Sequence, residues 1–221
     1  MFLDRRDAGR RLAVELSKLP LLDPLVLGIP RGGVIPAAVI ADAIRAELDV
    51  ALAHKLRSPR QPELAFGAVG EDGRVYLNQH AREEIGVTES YLERERQTQF
   101  DEIRRRQKLF RAGKPAAAIT GRSVILTDDG IATGSTMFAA IEVIKAQQPH
   151  ELIVAIPVAP PDTLARLRRQ CDRVVCLYAP SHFMAVGQFY ESFPPVDDQE
   201  VVDLLIRNRS FVSRNGKEIE R

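Results

Sequence analysis

Short apolar runs alternate along most of the chain with segments whose apolar residues recur at helical spacing. After the run at 124–127, Met137, Ala140, Ile141 and Ile144 fall at positions i, i+3, i+4 and i+7, which is one face of a helix. The same pattern predicts strands at 25–29, 50–53, 124–127, 152–156 and 174–177, and further helices over 34–47 and 161–169.

Strands that are apolar on both faces and separated by helices are typical of a parallel sheet covered on both sides. We therefore predict an α/β fold of three layers, a mostly parallel twisted sheet with helices on both faces. The whole chain, 1–221, is read as a single domain of this kind.

The middle third of the chain departs from this alternation. Residues 57–72 are rich in proline, glycine and mixed charge, which predicts a long surface loop running into a β-ribbon at 74–78. A charged helix is predicted over 90–111, with Ser90 and Glu93 as a capping box. Its loose apolar stripe consists of Leu92, Phe100, Ile103 and Phe110.

Composition narrows the class of protein. The 221 residues are 45% apolar and 28% charged, which is a folding composition. The 31 basic and 30 acidic residues leave a net charge of +1, which argues against a nucleic-acid partner. The run Arg104-Arg105-Arg106 is flanked by Asp101 and Glu102, so we interpret it as a solvated helix face.

Targeting and membrane signals are weak in this sequence. The chain opens Met1-Phe2-Leu3-Asp4-Arg5-Arg6, without the apolar core of a signal peptide. No run approaches the roughly 18 apolar residues of a membrane span, because the best candidate, 19–29, is broken by two prolines and Asp23. We expect a cytoplasmic protein with no membrane partner.

The first candidate binding turn, Pro30-Arg31-Gly32-Gly33, lies between the strand at 25–29 and a helix. Paired glycines let the backbone approach a ligand closely, and the N–H groups at a helix start attract anions. Arg31 adds a forked donor that suits phosphate oxygens. A tight turn with a surface arginine is the plainer interpretation of the same residues.

The second candidate turn follows the strand at 124–127. Asp128 and Asp129 come directly after the strand, and Gly130 to Thr136 form a small, hydroxyl-rich turn into a helix. Such a turn offers several backbone N–H groups to one phosphate. Two adjacent carboxylates repel each other unless they bind cations or sugar hydroxyls. The Gly-Lys-Ser/Thr triplet of a Walker loop is absent from this turn.

Residues 124–136 resemble the phosphoribosyl-pyrophosphate signature of type I phosphoribosyltransferases, and most closely that of the bacterial predicted phosphoribosyltransferase group. Residues 30–33 resemble that family's pyrophosphate loop. The resemblance also implies a mobile loop and β-ribbon at 55–78, a helical insertion at 80–112, and a C-terminal hood and tail at 179–221. It implies that both glycine turns meet at the switch point of the sheet.

The resemblance also implies roles for individual residues. The 5′-phosphate would lie on Gly130, Ala132, Thr133, Gly134, Ser135 and Thr136. Asp128 and Asp129 would hold the ribose hydroxyls, directly or through a water on Mg²⁺, and would count with Arg31 and Lys55 as catalytic residues. The pyrophosphate would lie on Arg31, Gly32, Gly33 and Lys55, beside a cis peptide at Pro30–Arg31 or Arg31–Gly32.

The cation candidates of the mobile loop are Lys55, Arg57 and Arg60, of which Lys55 lies at a predicted strand end. The hood offers Phe183, Phe189 and Tyr190 to stack on a flat base, although ordinary core packing explains them equally well. His54 and His182 are the histidines near the predicted site.

The partners implied are phosphoribosyl pyrophosphate and a small heterocyclic base or amine. Ala132 occupies the position where 6-oxopurine enzymes of the family carry an Asp, which weakens that substrate class and leaves adenine-like and orotate-like acceptors open. A homodimer is the family habit, and the stripe of the 90–111 helix is a candidate contact.

Two other functions stay open at this stage. The same fold could sense phosphoribosyl pyrophosphate or a nucleotide and regulate a partner without turnover. A phosphate-ester hydrolase with Asp128 as nucleophile is a weaker alternative, because Gly130 stands where that chemistry needs a second Asp.

Overall fold

The computed structural model describes residues 1–59, 65–77 and 86–219, with side chains described as far as residue 208. Its helices are α1 (Arg5–Leu16), α2 (Val34–Ile44), α3 (Glu89–Arg111), α4 (Ser135–Lys145), α5 (Pro161–Leu167) and α6 (Asp198–Ile219). Its strands are β1 (Leu25–Gly28), β2 (Glu47–Val50), β3 (His54–Arg57), β4 (Ala65–Val69), β5 (Val75–Leu77), β6 (Ser123–Thr127), β7 (Glu151–Val158) and β8 (Arg173–Tyr178).

Five strands form one parallel sheet in the order β2-β1-β6-β7-β8. Alternate residues of the central strands face opposite sides, as Val26 and Ile125 pack with α1, α2 and α6 while Leu27 and Leu126 pack with α4. The predicted α/β fold with helices on both faces is therefore confirmed. The strand order reverses its direction of winding between β1 and β6, which are neighbours in the sheet.

The prediction of a strand at 50–53 was wrong, because β2 occupies 47–50. The charged residue Asp49 interrupts the apolar pattern of β2, yet its side chain is buried, with 2% of the residue exposed. Arg111 of α3 donates to both of its carboxylate oxygens, at 2.9 and 3.0 Å, and also pairs with Glu71. A buried carboxylate is tolerated when it is paired and hydrogen-bonded in this way.

The segment predicted as a loop over 57–72 contains regular structure. Strands β3, β4 and β5 form a separate antiparallel sheet, so the ribbon expected near 74–78 is found as β5, with residue 78 outside the described residues. The apolar face of β4 was missed because glycine and small residues interrupt its alternation. Residues 60–64, and with them Arg60, lie outside the described residues.

Helix α3 also differs in detail from its prediction. Its N-cap is Thr88, whose side chain accepts a hydrogen bond from the Tyr91 N–H at 3.3 Å, so the Ser90–Glu93 capping box was wrong. The apolar stripe proposed as a dimer contact is covered within the chain, since Ile103 and Phe110 are 0% and 3% exposed. It packs into the core beside the sheet.

The terminal helices complete the core. Helix α1 was not predicted, and it buries Leu12 and Leu16 against the same sheet face as α2. Helix α6 belongs to the segment predicted as hood and tail, yet its Val201 and Leu205 are fully buried in that core. Among the described residues, no helix is long and apolar enough to cross a membrane.

Candidate active site

The two glycine turns meet at the carboxyl ends of β1 and β6. These strands pair in parallel with Gly28 opposite Thr127, and the Ile29 N–H donates to the Thr127 carbonyl at 2.9 Å. The Pro30–Arg31 peptide is cis, one of the two positions that the resemblance implied. Ligands of open α/β sheets bind at such a switch point.

Glycine is required where the first turn touches the acid pair. A Cβ on Gly33 would lie 2.8 Å from the Asp128 Cα, and one on Gly32 would overlap the Asp129 carboxylate. The backbone of the turn is thus in direct contact with both aspartates. Two motifs that are far apart in sequence form one surface.

The two aspartates differ in their surroundings. Asp128 Oδ1 accepts a hydrogen bond from the Asp129 N–H at 2.8 Å, and Asp129 Oδ2 accepts one from Arg5 Nε at 2.7 Å. Burial raises the pKa of Asp128 well above its ordinary range, and the neighbouring charge of Asp129 raises it further. Asp128 is therefore the carboxylate whose charge most needs a cation or a hydroxyl partner.

Arg5 is a site residue that sequence reasoning missed. It is 7% exposed, its guanidinium lies 3.6 Å from the centre of the Phe193 ring, and its Nη1 donates to the Pro194 carbonyl at 2.8 Å. The Tyr190 hydroxyl donates to the Asp129 carbonyl at 2.5 Å. Helix α1 and the C-terminal segment thereby fix Asp129 from two sides.

The second turn leads into α4, and three of its residues are exposed. Gly134 is the N-cap with φ 77°, a left-handed conformation that favours glycine, and Ala132, Thr133 and Thr136 are exposed. Thr163 of α5, another residue missed by sequence reasoning, donates from Oγ1 to the Ala132 carbonyl at 2.8 Å. Gly130 is buried against Val186, and Gly134 is buried as well, so the exposed members of the predicted phosphate site are Ala132, Thr133 and Thr136.

Beside the two turns lies a cavity of about 400 Å³. Its lining includes Pro30 of the first turn, and Asp128 and Thr136 of the second. The cations that face it are Lys55 and Arg57 of β3 and Arg106 of α3. Lys55 therefore lines the cavity beside the two turns, from within β3 rather than at a strand end, while Arg31 is 55% exposed and 3.8 Å from Asp198.

His54 lines the same cavity in a fixed orientation. Its Nδ1 is 2.9 Å from Oε1 of Gln99, whose Nε2 donates to Glu95 at 3.0 Å. Because the Gln99 amide nitrogen is engaged by a carboxylate, its oxygen is the end that faces His54, and Nδ1 is the donor. Burial lowers the pKa of His54, although the bond to Gln99 opposes that shift. His182 is exposed on the C-terminal segment.

The aromatic residues of the expected hood are mostly core residues. Phe189 and Tyr190 are 8% and 6% exposed and pack with Phe2 and Val158. Their faces are covered by this packing, so base stacking stays a prediction for Phe183, which is half-buried at the edge of the same cluster.

The acid pair is the candidate place for a metal ion. Within the described ranges, no group of three or more His, Cys, Asp or Glu side chains is arranged to hold one. Mg²⁺ needs no such cage, because it commonly binds through one or two carboxylates together with substrate phosphates and waters. Asp128 beside the first turn fits that pattern better than Asp129, whose Oδ2 is held by Arg5.

Comparison with known proteins defines the class to which this fold and site belong. A family model described as the phosphoribosyl transferase domain matches residues 3–193. The chain belongs to the phosphoribosyl transferase domain family.

Individual relatives agree with this class. Two Mycobacterium tuberculosis proteins, from strains CDC 1551 and H37Rv, are named provisionally as phosphoribosyl transferases, and each is 43% identical over 212 residues. That match covers 96% of this chain and 48% of each relative, so the chain spans about half the length of these relatives.

Solved structures support the same fold. The crystal structure of TT1426 from Thermus thermophilus has a TM-score of 0.88 and 44% identity, and the match covers 93% of this chain and 98% of that chain. The AQ2163 protein of Aquifex aeolicus, with a TM-score of 0.51 and 13% identity, covers 83% of this chain and 78% of that one. It is similar in fold alone.

Proposed function

We propose that this protein transfers the 5-phosphoribosyl group from phosphoribosyl pyrophosphate to a nucleobase or amine and releases pyrophosphate. The observation that carries the proposal is the contact between the turn at Gly32–Gly33 and the acid pair Asp128–Asp129. One ligand that bears a diphosphate, a sugar diol and a second phosphate would engage both turns at once.

The 5′-phosphate is assigned to the start of α4. The N–H groups of Thr133 to Thr136 and their hydroxyls surround the positive end of the helix dipole, which favours an anion. Thr163 holds the Ala132 carbonyl and so fixes the loop that presents these donors. The ribose hydroxyls are assigned to Asp128 and Asp129, which directly precede that loop in the chain.

The pyrophosphate is assigned to the first turn and to the cations of the cavity. Arg31, Gly32 and Gly33 offer backbone and side-chain donors, and Lys55 faces the cavity beside them. Charge develops on the departing pyrophosphate as the bond to C1 of the ribose breaks, so donors fixed in advance at this position lower the barrier. The turns also align the ribose with the acceptor.

Magnesium is part of the proposal. Asp128 would hold it through water, and the ion would neutralise charge on the diphosphate oxygens.

We propose a cytoplasmic location on the sequence signals alone. Membership of the phosphoribosyl transferase family favours a transfer reaction over the two alternatives, which are ligand sensing without turnover and phosphate-ester hydrolysis.

The test is pyrophosphate release from phosphoribosyl pyrophosphate and Mg²⁺ with a panel of bases and amines. The expected result is release that depends on one acceptor and falls by more than about tenfold in Asp128→Asn, since a lost charge-assisted contact costs about 2 kcal/mol. The matched control is Asp203→Asn, on the exposed face of α6. Release of phosphate with no acceptor would favour the hydrolase alternative.

A further inference from the structure

Helix α3 has a place in the fold that the function above does not explain. One of its faces is bonded to β3, the strand that carries Lys55. The Tyr91 hydroxyl donates to the Arg57 carbonyl at 2.9 Å, and the Arg57 N–H donates to Glu95 Oε1 at 3.1 Å. Gln99 follows four residues later and bonds to His54, so contacts recur at every fourth residue.

This attachment makes α3 a rigid wall of the cavity. Gln99 is 4% exposed and Ile103 is fully buried, so the middle of the helix is fixed by packing as well as by hydrogen bonds. Two turns after Gln99 on the same face comes Arg106, which lines the cavity together with Lys55, Pro30 and Asp128. Its charge contributes to lowering the pKa of His54, which agrees with this placement.

Arg106 provides a surplus cation at that wall. Glu102 accepts from Arg106 Nε at 2.8 Å and also from Arg105 Nε and Nη2 at 2.7 and 2.9 Å. Two guanidinium groups on one carboxylate lower the pKa of Glu102 to about 2 and leave one positive charge unbalanced within this trio. Arg105 faces away from the cavity, in a surface groove with Arg104 and Lys108.

We propose that Arg106 binds the diphosphate of the sugar substrate, so that α3 forms part of the active site. This inference rests on the proposed function. Arg106 meets Glu102 through Nε, and the fork of Nη1 and Nη2 is the part of the group that matches a pair of phosphate oxygens. When a diphosphate enters, Arg105 keeps Glu102 paired while Arg106 turns to the ligand.

The position of Arg106 specifies the ligand group. It stands with Lys55 and Arg57 in the lining of the cavity that includes Pro30, the first residue of the turn assigned to pyrophosphate. Thr136, at the start of α4, also lines this cavity, so the grouping of Arg106 with Lys55 and Arg57 beside Pro30 is what assigns it to the diphosphate. Arg106 should therefore distinguish ligands that carry a diphosphate from those that carry only a sugar phosphate.

The experiment is calorimetric titration of Arg106→Gln with three probes: inorganic pyrophosphate with Mg²⁺, phosphoribosyl pyrophosphate with Mg²⁺, and ribose 5-phosphate. We expect affinity for the first two to fall about 10- to 100-fold, the loss typical of one charge-assisted hydrogen-bonded contact, and affinity for ribose 5-phosphate to change less than about threefold. Arg106→Lys, which keeps the charge, should recover part of the loss.

Arg104→Gln is the matched control, because it removes an exposed arginine of the same helix that lies in the surface groove outside the cavity. It should leave all three affinities within about threefold of the starting protein, as expected for an exposed surface charge. Equal binding of pyrophosphate by Arg106→Gln and the starting protein would overturn the inference. So would an equal loss of ribose 5-phosphate binding, since Arg106 would then act through the fold.

The binding measurements on the starting protein separate an error in the proposed function from an error in the role of Arg106. A starting protein that bound neither ribose 5-phosphate nor phosphoribosyl pyrophosphate would contradict the transferase proposal as well as this inference. A starting protein that bound ribose 5-phosphate but not pyrophosphate would overturn the role of Arg106 alone.

Discussion

Arg5 and Asp129 stand 124 residues apart in sequence and share a hydrogen bond of 2.7 Å between Nε and Oδ2. Their side chains are 8% and 14% exposed, so the pair is largely removed from water. Arg5 also lies over Phe193 and bonds to the Pro194 carbonyl. A single guanidinium therefore connects the N-terminal helix, the acid pair and the C-terminal segment.

Replacing Arg5 should lower the stability of the folded protein. Arg5→Leu leaves the Asp129 carboxylate without its cation in a largely buried position, and we expect the free energy of unfolding to fall by about 3 kcal/mol. Urea unfolding measures this change. Arg11→Gln, which removes a half-exposed arginine from its pair with Asp7 on the same helix, should cost less than about 1 kcal/mol. Similar losses in both variants would contradict the structural role of Arg5.

Gly33→Ala should disrupt the contact between the two turns. The backbone of Gly33 has φ −67°, which alanine adopts readily, so the effect comes from the added Cβ against the Asp128 backbone. We expect affinity for phosphoribosyl pyrophosphate to fall by more than about tenfold, since displaced donors lose their fit to the ligand.

Gly113→Ala is the control for that substitution. Gly113 has φ 82° with open space around it, so alanine there costs about 1 kcal/mol of stability through the backbone and should leave ligand affinity unchanged. A Gly33→Ala protein that bound the ligand normally would show that the close approach of the turns is unnecessary for binding.

Thr163→Val tests the support of the turn that we propose binds the 5′-phosphate. The substitution keeps the shape of a residue that is 6% exposed and removes its donor to the Ala132 carbonyl. We expect unfolding free energy to fall by about 1 kcal/mol and affinity for ribose 5-phosphate to weaken. Thr98→Val, whose hydroxyl bonds within α3 on an exposed face, serves as the control and should leave that affinity unchanged.

Asp128 should make stability fall as the pH rises. Its pKa in the folded protein is raised above the ordinary value of 3.8, so the folded state holds the proton more tightly than the unfolded state. The resulting stabilisation is complete below the unfolded pKa and is lost as the pH rises through the folded one. Compared with Asp128→Asn, the starting protein should therefore lose stability as the pH rises above about 4, the ordinary pKa of an aspartate side chain.

Thermal or urea unfolding across that range measures the difference. Parallel pH profiles for the two proteins would contradict the raised pKa of Asp128. Asp203→Asn, an exposed carboxylate on α6, should leave the profile unchanged.

Local apolar pattern accounts for the elements that could be predicted from the sequence. Four of the five predicted strands and both glycine turns are where the pattern indicated, because a buried parallel strand is a continuous apolar run. The strand at 47–50 escaped prediction because the charge of Asp49 is neutralised by Arg111, 62 residues away. A pairing at that distance leaves no signal in the local sequence.

Contacts between residues that are far apart in sequence also explain which site residues were missed. Asp128 and Gly33 belong to compact motifs that can be recognised alone. Arg5, Thr163 and Arg106 lie on other helices, and each looks like an ordinary polar residue of an amphipathic helix. Only the fold brings them to the motifs, as the buried positions of Arg5 and Thr163 demonstrate.

The most direct test of the central claim is a crystal structure with phosphoribosyl pyrophosphate and Mg²⁺. We predict the 5′-phosphate at the amides of Thr133 to Thr136, the ribose hydroxyls at Asp128 and Asp129, and the diphosphate between the Arg31–Gly33 turn and the cavity cations. A sugar phosphate bound elsewhere, with the two turns empty, would contradict the account.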